Sequence, residues 1–250
     1  MKPLEIKHRV IGGGEPLICV PVVEQDAQSV IREITYLSQS TADMIEWRVD
    51  AFRDFTDYNA IRSVFEAVAP LLGEKLFLYT FRTAHQGGMA QVKAEQLDDL
   101  HDLAAESGCV DLVDLEFFEE DRPLHKIKRL REMGVSVIAS HHDFEQTPSP
   151  EVMKMLLEKM CAGGADIVKL AVMPQNYKDV LNLLDVTAQF REENPDTPVI
   201  TMSMGSLGGI SRISGETFGS CVTFGAHEKP SAPGQFAMKE LRQMLDTIHA

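Results

Sequence analysis

Short apolar runs alternate with longer amphipathic segments along most of the chain. Eight of the apolar runs have the length and composition of buried β-strands. They span residues 17–23, 44–49, 76–81, 112–117, 135–140, 167–171, 198–204 and 221–225. Helical periodicity is found between them, for example at 26–38, 91–107, 150–162, 175–191 and 237–248. This alternation is typical of a parallel sheet covered by helices.

Eight strand–helix units in 250 residues predict a (β/α)8 TIM barrel, which commonly has this length. Residues 5–11, followed by a run of glycines, predict a short strand or hairpin that closes the bottom of the barrel. No linker-like or low-complexity stretch interrupts the pattern, so residues 1–250 are expected to form a single domain. An open doubly wound sheet is the alternative fold, but the glycine-rich first turn typical of it is missing.

Charged residues interrupt several strands near their C-terminal ends, where the reactive site of a TIM barrel lies. Glu46, Arg48 and Asp50 are spaced by two and therefore face one side of the second strand. Neighbouring buried charges are costly unless they pair with one another or with a ligand. Arg48 is the better candidate for a ligand contact, whereas Glu46 and Asp50 fit a structural network at least as well.

The third and fourth strands carry further candidates. Arg82 ends the third strand ahead of the pair Gly87 and Gly88, which suits a loop that folds over a ligand. Asp114 and Glu116 share one face of the fourth strand. Glu116 lies nearer the strand end and is therefore the better site candidate of the two.

A single lysine, Lys169, interrupts the apolar sixth strand. Because burial disfavours an ammonium ion, part of this lysine is expected to be the free amine, which can attack a carbonyl. A buried ion pair with Glu46 or Glu116 is the structural alternative. His141 and His142 follow the fifth strand, and imidazole is the usual proton shuttle near neutral pH. Together these residues favour a Schiff-base nucleophile with a histidine beside it.

Composition limits the classes of binding partner and the cellular location that the sequence predicts. The 24 Lys and Arg residues against 38 Asp and Glu give a formal net charge of −14, which disfavours nucleic acids and anionic membranes as partners. A small anion would need a local arginine cluster. No apolar run approaches the ~20 residues that cross a bilayer, and the N-terminus lacks the apolar stretch of a signal peptide. The protein is therefore expected to be soluble and cytoplasmic.

Metal and disulfide chemistry find little support in the sequence. The four cysteines are far apart and form no C-x-x-C pair, so the sequence contains no local zinc knuckle or dithiol site. Cys19 and Cys221 lie in apolar strands and are expected to be buried small hydrophobic residues. The histidine pair lacks an H-x-H or H-E-x-x-H pattern, so a metal-dependent hydrolase is the weakest of the functional hypotheses.

Nine segments, in order along nearly the whole chain, together make a specific pattern. They are EWRVD at 46–50, TFR with the following GG at 80–88, HDF at 142–144, KLAVMPQ at 169–175, ITMSM at 200–204, SR at 211–212, FG at 218–219, TFGA at 223–226 and SAPGQ at 231–235. In these segments the chain resembles the type I 3-dehydroquinate dehydratases, Schiff-base enzymes of the shikimate pathway. The resemblance implies a (β/α)8 barrel without a cofactor, a small-molecule substrate, 3-dehydroquinate, and a homodimer.

The resemblance also implies roles for individual residues. Lys169 would form an imine with the C3 ketone of 3-dehydroquinate. His142 would act as base on the C2 proton and as acid on the departing C1 hydroxyl. Arg212 would bind the substrate carboxylate. The remaining substrate contacts would be made by Glu46, Arg48, Arg82, Ser231 and Gln235, with Met202, Met204 and Phe224 as cavity walls.

Position 86 departs from the family pattern, which usually has a glutamate there, near the histidine and the imine. Gln86 keeps the size and the hydrogen bonds but lacks the negative charge, so we expect a lower pKa for His142 and slower dehydration. Replacing Gln86 by glutamate is then expected to raise turnover. The alternatives are a catalytically weakened relative that binds or senses a shikimate-pathway acid, and another Schiff-base barrel lyase or aldolase.

Overall fold

Eight parallel strands form a barrel at the centre of the computed structural model, which describes residues 4–249. Together with the two strands of an N-terminal hairpin, the strands within residues 4–249 are β1 (Leu4–Ile6), β2 (Arg9–Ile11), β3 (Leu17–Val22), β4 (Met44–Arg48), β5 (Leu76–Thr80), β6 (Leu112–Glu116), β7 (Ser136–Asp143), β8 (Ile167–Val172), β9 (Val199–Ser203) and β10 (Val222–Phe224). β3 to β10 pair in the order β10-β3-β4-β5-β6-β7-β8-β9. The Cys221 N–H donates to the Val199 carbonyl at 2.8 Å, which joins the two ends of the sheet. The predicted TIM barrel is confirmed.

Helices cover the outside of the barrel. They are α1 (Ala27–Ser38), α2 (Tyr58–Val68), α3 (Ala94–Glu106), α4 (Pro123–Glu132), α5 (Pro150–Ala162), α6 (Tyr177–Glu193), α7 (Gly209–Ile213), α8 (Gly215–Phe218) and α9 (Met238–His249). In α1, Val30, Ile34 and Leu37 form the buried stripe expected from helical spacing. The Asp26 side chain accepts a hydrogen bond from the Ser29 N–H and caps this helix.

All eight predicted barrel strands are present, and the fifth is longer than the sequence indicated. β7 continues beyond residue 140 because His141, His142 and Asp143 pair with Leu170, Ala171 and Val172 of β8. The two histidines therefore belong to the rigid sheet. The predicted end of this strand at residue 140 is therefore wrong.

The interior of the barrel changes from apolar to polar along its axis. Inward positions near the N-terminal ends of the strands carry apolar residues such as Met44, Leu112 and Ile138, which pack together at the centre. Two residues further along the same strands stand Glu46, Asp114 and Ser140, all buried. The alternation of strand side chains therefore seals the lower half of the barrel and directs charged groups into the upper half. Cys19 and Cys221 are buried and free, as predicted.

β1 and β2 form an antiparallel hairpin at the N-terminal end of the barrel. Lys7 contacts Asp111 at 2.7 Å, just before β6, and Arg9 contacts Asp43 at 2.7 Å, just before β4. Ile11 packs into the apolar interior cluster. The hairpin therefore closes the barrel bottom as the sequence predicted. Across residues 4–249, no helix combines the length and the apolar character needed to cross a membrane.

Candidate active site

A cavity of about 440 Å³ opens at the C-terminal ends of the barrel strands. This volume suits a small organic ligand. Its walls contain most of the residues that the sequence analysis placed in the site, namely Glu46, Arg48, Arg82, Gln86, His142, Lys169, Met202, Met204, Phe224, Ser231 and Gln235. They also contain Gly87 of the predicted ligand loop, and Phe144, Ala171 and Ala232, for which the sequence predicted no role.

Lys169 is buried in the middle of β8, and its ammonium group contacts a carboxylate and an aromatic ring. Its Nζ lies 3.1 Å from Oδ2 of Asp114 and 4.5 Å from the centre of the Phe224 ring. Both contacts favour a cation. The structural alternative, a pair with Glu46 or Glu116, is therefore wrong in its partner, because the carboxylate that contacts Lys169 is Asp114.

Asp114 forms ion pairs with two cations, Lys169 and Arg82. Its Oδ1 lies 2.8 Å from Nη2 of Arg82 and accepts a hydrogen bond from the Ser140 hydroxyl at 2.6 Å. Burial opposes ionisation, but the Arg82 guanidinium and the Lys169 ammonium outweigh it and lower the pKa of Asp114 to about 2. The carboxylate is therefore charged throughout the physiological range.

Glu116 belongs to the same network through its contact with Arg82. It accepts from Arg82 Nη1 at 3.0 Å and from the Thr83 hydroxyl at 2.7 Å, so it orients the arginine and the start of the following loop. The sequence analysis favoured Glu116 over Asp114 as a site residue, and the contacts reverse that order.

His142 lies on β7 two residues beyond Ser140, which pairs with Lys169 of β8, and the side chains of His142 and Lys169 both line the cavity. Its backbone N–H donates to Oε1 of Gln86 at 2.9 Å, and its Nδ1 lies 3.0 Å from the same oxygen. Because a backbone N–H can only donate, the atom of Gln86 that faces the histidine is the oxygen. The neutral ring therefore carries its proton on Nδ1 and has its lone pair on Nε2.

The surroundings of His142 disfavour its charged form. Burial, followed by the Arg82 and Lys169 cations and then Arg48, holds the pKa of His142 well below its usual range. The effect expected of the missing carboxylate at position 86 stays a prediction.

Arg48, Asp50 and Glu46 divide between a ligand wall and a structural network. Arg48 forms a bidentate pair with Asp50, at 2.7 Å for each contact. Asp50 also accepts from the backbone N–H groups of Arg82 and Met89, which holds the loop after β5. Glu46 lines the cavity and accepts from the Thr80 hydroxyl at 2.8 Å. The structural alternative considered for Asp50 agrees with these contacts.

Ser231 and Gln235 lie on the loop between β10 and α9 and hold each other. The Ser231 N–H donates to Oε1 of Gln235 at 2.8 Å, and Nε2 of Gln235 donates to the Ser231 hydroxyl at 3.0 Å. Gly234 has a φ of +79°, and a Cβ there would lie 2.3 Å from the Gly205 carbonyl oxygen. Glycine at 234 therefore allows this loop to approach the end of β9.

Arg212 differs from its expected place, since it is not among the residues that line the cavity. It is almost fully buried behind the wall, where Nη2 donates to the Pro233 carbonyl at 2.9 Å and Nη1 to the Phe224 carbonyl at 3.5 Å. Its Nε has no partner among the described residues. Burial without a carboxylate lowers the pKa of Arg212 to about 10. It is thus a buried cation whose charge the protein does not neutralise with an ion pair within residues 4–249.

Phe144 lines the cavity next to Gly87, a role that the sequence did not predict for this phenylalanine. Phe144 follows the histidine in the HDF segment, and its ring stacks with that of His142 at 6.4 Å between centroids. Gly87 has a φ of +81°, and a Cβ there would lie 2.4 Å from the Phe144 ring. The close approach explains why glycine occupies this position, which the spacing of the motifs alone did not reveal. No cluster of His, Cys, Asp and Glu within the described part of the chain has a metal-binding arrangement.

Comparison with known proteins connects this site to one family. A family model described as "Type I 3-dehydroquinase" matches residues 18–250. A 3-dehydroquinate dehydratase from Syntrophotalea carbinolica is 41% identical over 250 residues, which cover 100% of this chain and 99% of the relative. One from Listeria welshimeri is also 41% identical, with the same coverage.

Solved structures agree with the sequence comparisons. A type I 3-dehydroquinate dehydratase from Clostridium difficile, described with covalently modified comenic acid, superposes with a TM-score of 0.95 at 38% identity. The match covers 99% of this chain and 98% of that one. A 3-dehydroquinate dehydratase from Geobacillus kaustophilus gives 0.96 at 35% identity, covering 99% of this chain and 96% of the other. The chain therefore belongs to the type I 3-dehydroquinase family of hydro-lyases.

Proposed function

We propose that the chain dehydrates 3-dehydroquinate to 3-dehydroshikimate through a Schiff base on Lys169, with His142 as general acid and base. The observation that carries this proposal is the position of the two side chains on neighbouring strands, β7 and β8, in one cavity. The Nε2 lone pair of His142 supports its role as base. Asp114 supports the role of Lys169 because its contact with Nζ at 3.1 Å fixes the position of the buried side chain before the substrate arrives.

The reaction proceeds in balanced steps. Lys169 first loses a proton to solvent, since Asp114, with a pKa of about 2, does not retain it. Nζ then attacks the C3 carbonyl carbon, and the carbonyl oxygen leaves as water to give the imine. The protonated imine withdraws electrons from C2, so the imidazole of His142 can remove the C2 proton.

The same histidine completes the elimination. It returns the proton to the C1 hydroxyl as the C1–O bond breaks, and this oxygen leaves as a second water. Hydrolysis of the imine consumes one water and releases 3-dehydroshikimate and free Lys169. The net change is the loss of one water. In this proposal Gln86 takes part only by its hydrogen bonds to His142, because an amide does not carry the proton.

The substrate is held by groups of matching charge and polarity. We assign its carboxylate to Arg212, since Arg48 and Arg82 are already paired with Asp50 and Asp114, respectively. Arg212 is buried next to the cavity-lining Phe224, so binding would exchange its hydrogen bonds to the Phe224 and Pro233 carbonyls for the substrate carboxylate. The substrate hydroxyls are assigned to Glu46, Arg48, Arg82, Ser231 and Gln235. Met202, Met204 and Phe224 form the apolar walls against the ring.

Borohydride trapping tests the covalent step. Reduction of the enzyme in the presence of 3-dehydroquinate is expected to leave one stable adduct per chain, located by mass spectrometry on Lys169. Lys169→Met is the matched control and should give no adduct and no product. An intact mass without an adduct in the active, unmodified chain contradicts the imine. Tight binding of the substrate without formation of the enone product would indicate a binding protein.

We further propose that residues 1–250 form one domain and that the protein acts in the cytoplasm as a homodimer. The continuous barrel supports the first point, since its strands extend from Leu17 to Phe224. Light scattering of the purified protein across a concentration series tests the dimer, and a monomeric mass at all concentrations refutes it.

A further inference from the structure

Gln86, at which the chain departs from the pattern of the resemblance, has a carboxylate within reach of its amide. The side chain of Gln86 is buried, with 2% of its surface exposed. Its oxygen faces His142, and its amide nitrogen Nε2 points the other way, to Oε1 of Glu119 at 3.5 Å. Among residues 4–249, Glu119 is the acceptor that the structure gives to this buried amide.

Glu119 is held at this place by the turn that follows β6. Its backbone N–H donates to the Glu116 carbonyl at 3.0 Å, which starts the turn directly after the strand. The residue is exposed to solvent, so its carboxylate needs no further partner. The result is a continuous line from the Glu119 carboxylate, through the Gln86 amide, to Nδ1 of His142.

We propose that Glu119 is a positioning residue for His142, which supplies through the Gln86 amide part of the negative polarisation that a carboxylate at position 86 would supply directly. This inference rests on the proposed role of His142 as the acid and base. An amide transmits such an effect because a carboxylate at its nitrogen end shifts electron density to its oxygen. Hydrogen bonds in series strengthen one another for the same reason.

The other groups around His142 oppose its protonation, so a negative charge that acts in the opposite sense affects the balance. Arg82 from the end of β5, Lys169 from β8 and Arg48 from β4 are cations, and His141 is its neighbour on β7. All four oppose a proton on the ring. The Glu119 to Gln86 contact acts in the opposite sense, although its length and the solvent exposure of Glu119 keep the effect small.

The same geometry changes the expectation for a glutamate at position 86. A carboxylate oxygen in place of Nε2 would lie about as close to Glu119 as the present 3.5 Å contact. Two carboxylates this close disfavour each other's ionisation, so the pair retains a proton to higher pH. Gln86→Glu should therefore yield its full gain in turnover only when Glu119 is also changed.

A double-mutant cycle with Gln86→Glu, Glu119→Gln and the combined variant tests the proposal. Glu119→Gln is expected to move the acid limb of the kcat/KM profile to lower pH by about half a unit, about threefold in the protonation equilibrium of His142. The ¹⁵N shifts of the His142 ring should report the same displacement without catalysis. The gain in kcat from Gln86→Glu should be at least about threefold larger in the Glu119→Gln background.

Glu145→Gln is the matched control, because Glu145 is also exposed and lies three residues after His142. It should leave the profile and the ring titration unchanged. The proposal is overturned if Glu119→Gln behaves like this control, or if Gln86→Glu gives the same gain in both backgrounds. The proposed function fails separately, if Lys169 is not trapped or if His142→Ala retains full turnover.

Discussion

Asp114 is the residue on which the charge balance of the site depends. One carboxylate faces both the Lys169 ammonium and the Arg82 guanidinium, and its side chain is fully buried. Removing one partner of a buried ion pair is costly because the remaining charge stays desolvated. Here the loss would leave two cations without this counter-charge, although Arg82 keeps its contact with Glu116.

Replacing Asp114 by asparagine is therefore expected to destabilise the fold by about 3 to 5 kcal/mol near neutral pH. The pKa of Asp114 is about 2 in the folded protein and roughly 4 when unfolded. A depressed folded pKa means that the ionised carboxylate stabilises the native state above the unfolded pKa. That contribution is lost as the pH falls from about 4 to about 2.

Urea unfolding of the two proteins across this range checks the prediction. The difference in unfolding free energy between the unmodified chain and Asp114→Asn should be largest above pH 4 and should shrink by about 2 to 3 kcal/mol toward pH 2. A difference that is constant with pH would show that Asp114 is not the group that titrates.

At the scale of residues, the sequence predicted which side chains face the barrel interior but not which of them contact one another. An isolated lysine in an apolar strand and a spacing of two in β6 were enough to predict which side chains point inward. They were not enough to choose between Asp114 and Glu116, because both residues face the same side of the strand. The strand register places Glu116, through Ser140, level with Lys169, so pairing alone would also favour Glu116. The choice depends on Arg82 and Thr83, which hold the Glu116 carboxylate.

At the scale of elements, the loop between β10 and α9 is fastened on two sides. Inside, the Pro233 carbonyl accepts from Arg212 and from the Gly205 N–H. Outside, the His227 ring stacks on Tyr36 of α1 at 3.9 Å, and its Nδ1 lies 2.7 Å from Glu33. The pairing of loop and helix was invisible in the sequence, since the two segments are nearly 200 residues apart.

Loosening either attachment should weaken substrate binding more than catalysis, because the loop carries Ser231 and Gln235 but neither Lys169 nor His142. Tyr36→Ala is expected to raise KM about two- to tenfold with little change in kcat. Arg212→Ala should raise KM further, since it also removes the cation assigned to the substrate carboxylate. Steady-state kinetics measure both effects.

Tyr36→Phe is the control for this prediction, because it keeps the ring that stacks on His227. It should retain the original KM. An equal KM for Tyr36→Ala would show that α1 does not position the loop, and an unchanged KM for Arg212→Ala would remove the carboxylate role of this arginine.

At the scale of the whole molecule, the candidate active site and the hairpin that closes the barrel lie at opposite ends of the barrel. The charged interior, Lys169 and His142 lie toward the C-terminal ends of the strands, whereas the hairpin of β1 and β2 covers the N-terminal ends. The net charge of −14 does not exclude an anionic ligand at the C-terminal end, since the arginines of the site act locally. The sequence predicted this division because polar residues follow apolar ones along strands such as β4, β6 and β7.

Asp43 joins the two ends of the chain at the closed end of the barrel. Its carboxylate accepts from Arg9 at 2.7 Å, from the Ile18 N–H at 2.9 Å and from Arg242 of α9. One residue thus connects the N-terminal hairpin, the first barrel strand and the last helix. Because all of these contacts lie away from the cavity, they should contribute to stability and not to turnover.

Asp43→Asn is accordingly expected to lower the unfolding free energy by about 2 kcal/mol or more, since charged hydrogen-bond partners lose their acceptor. At temperatures where the variant is folded, kcat and KM should equal those of the unmodified chain. Glu74→Gln, an exposed carboxylate at the same end, should change neither stability nor kinetics. A fall in kcat of fully folded Asp43→Asn would show that the closed end is coupled to the site through the barrel strands.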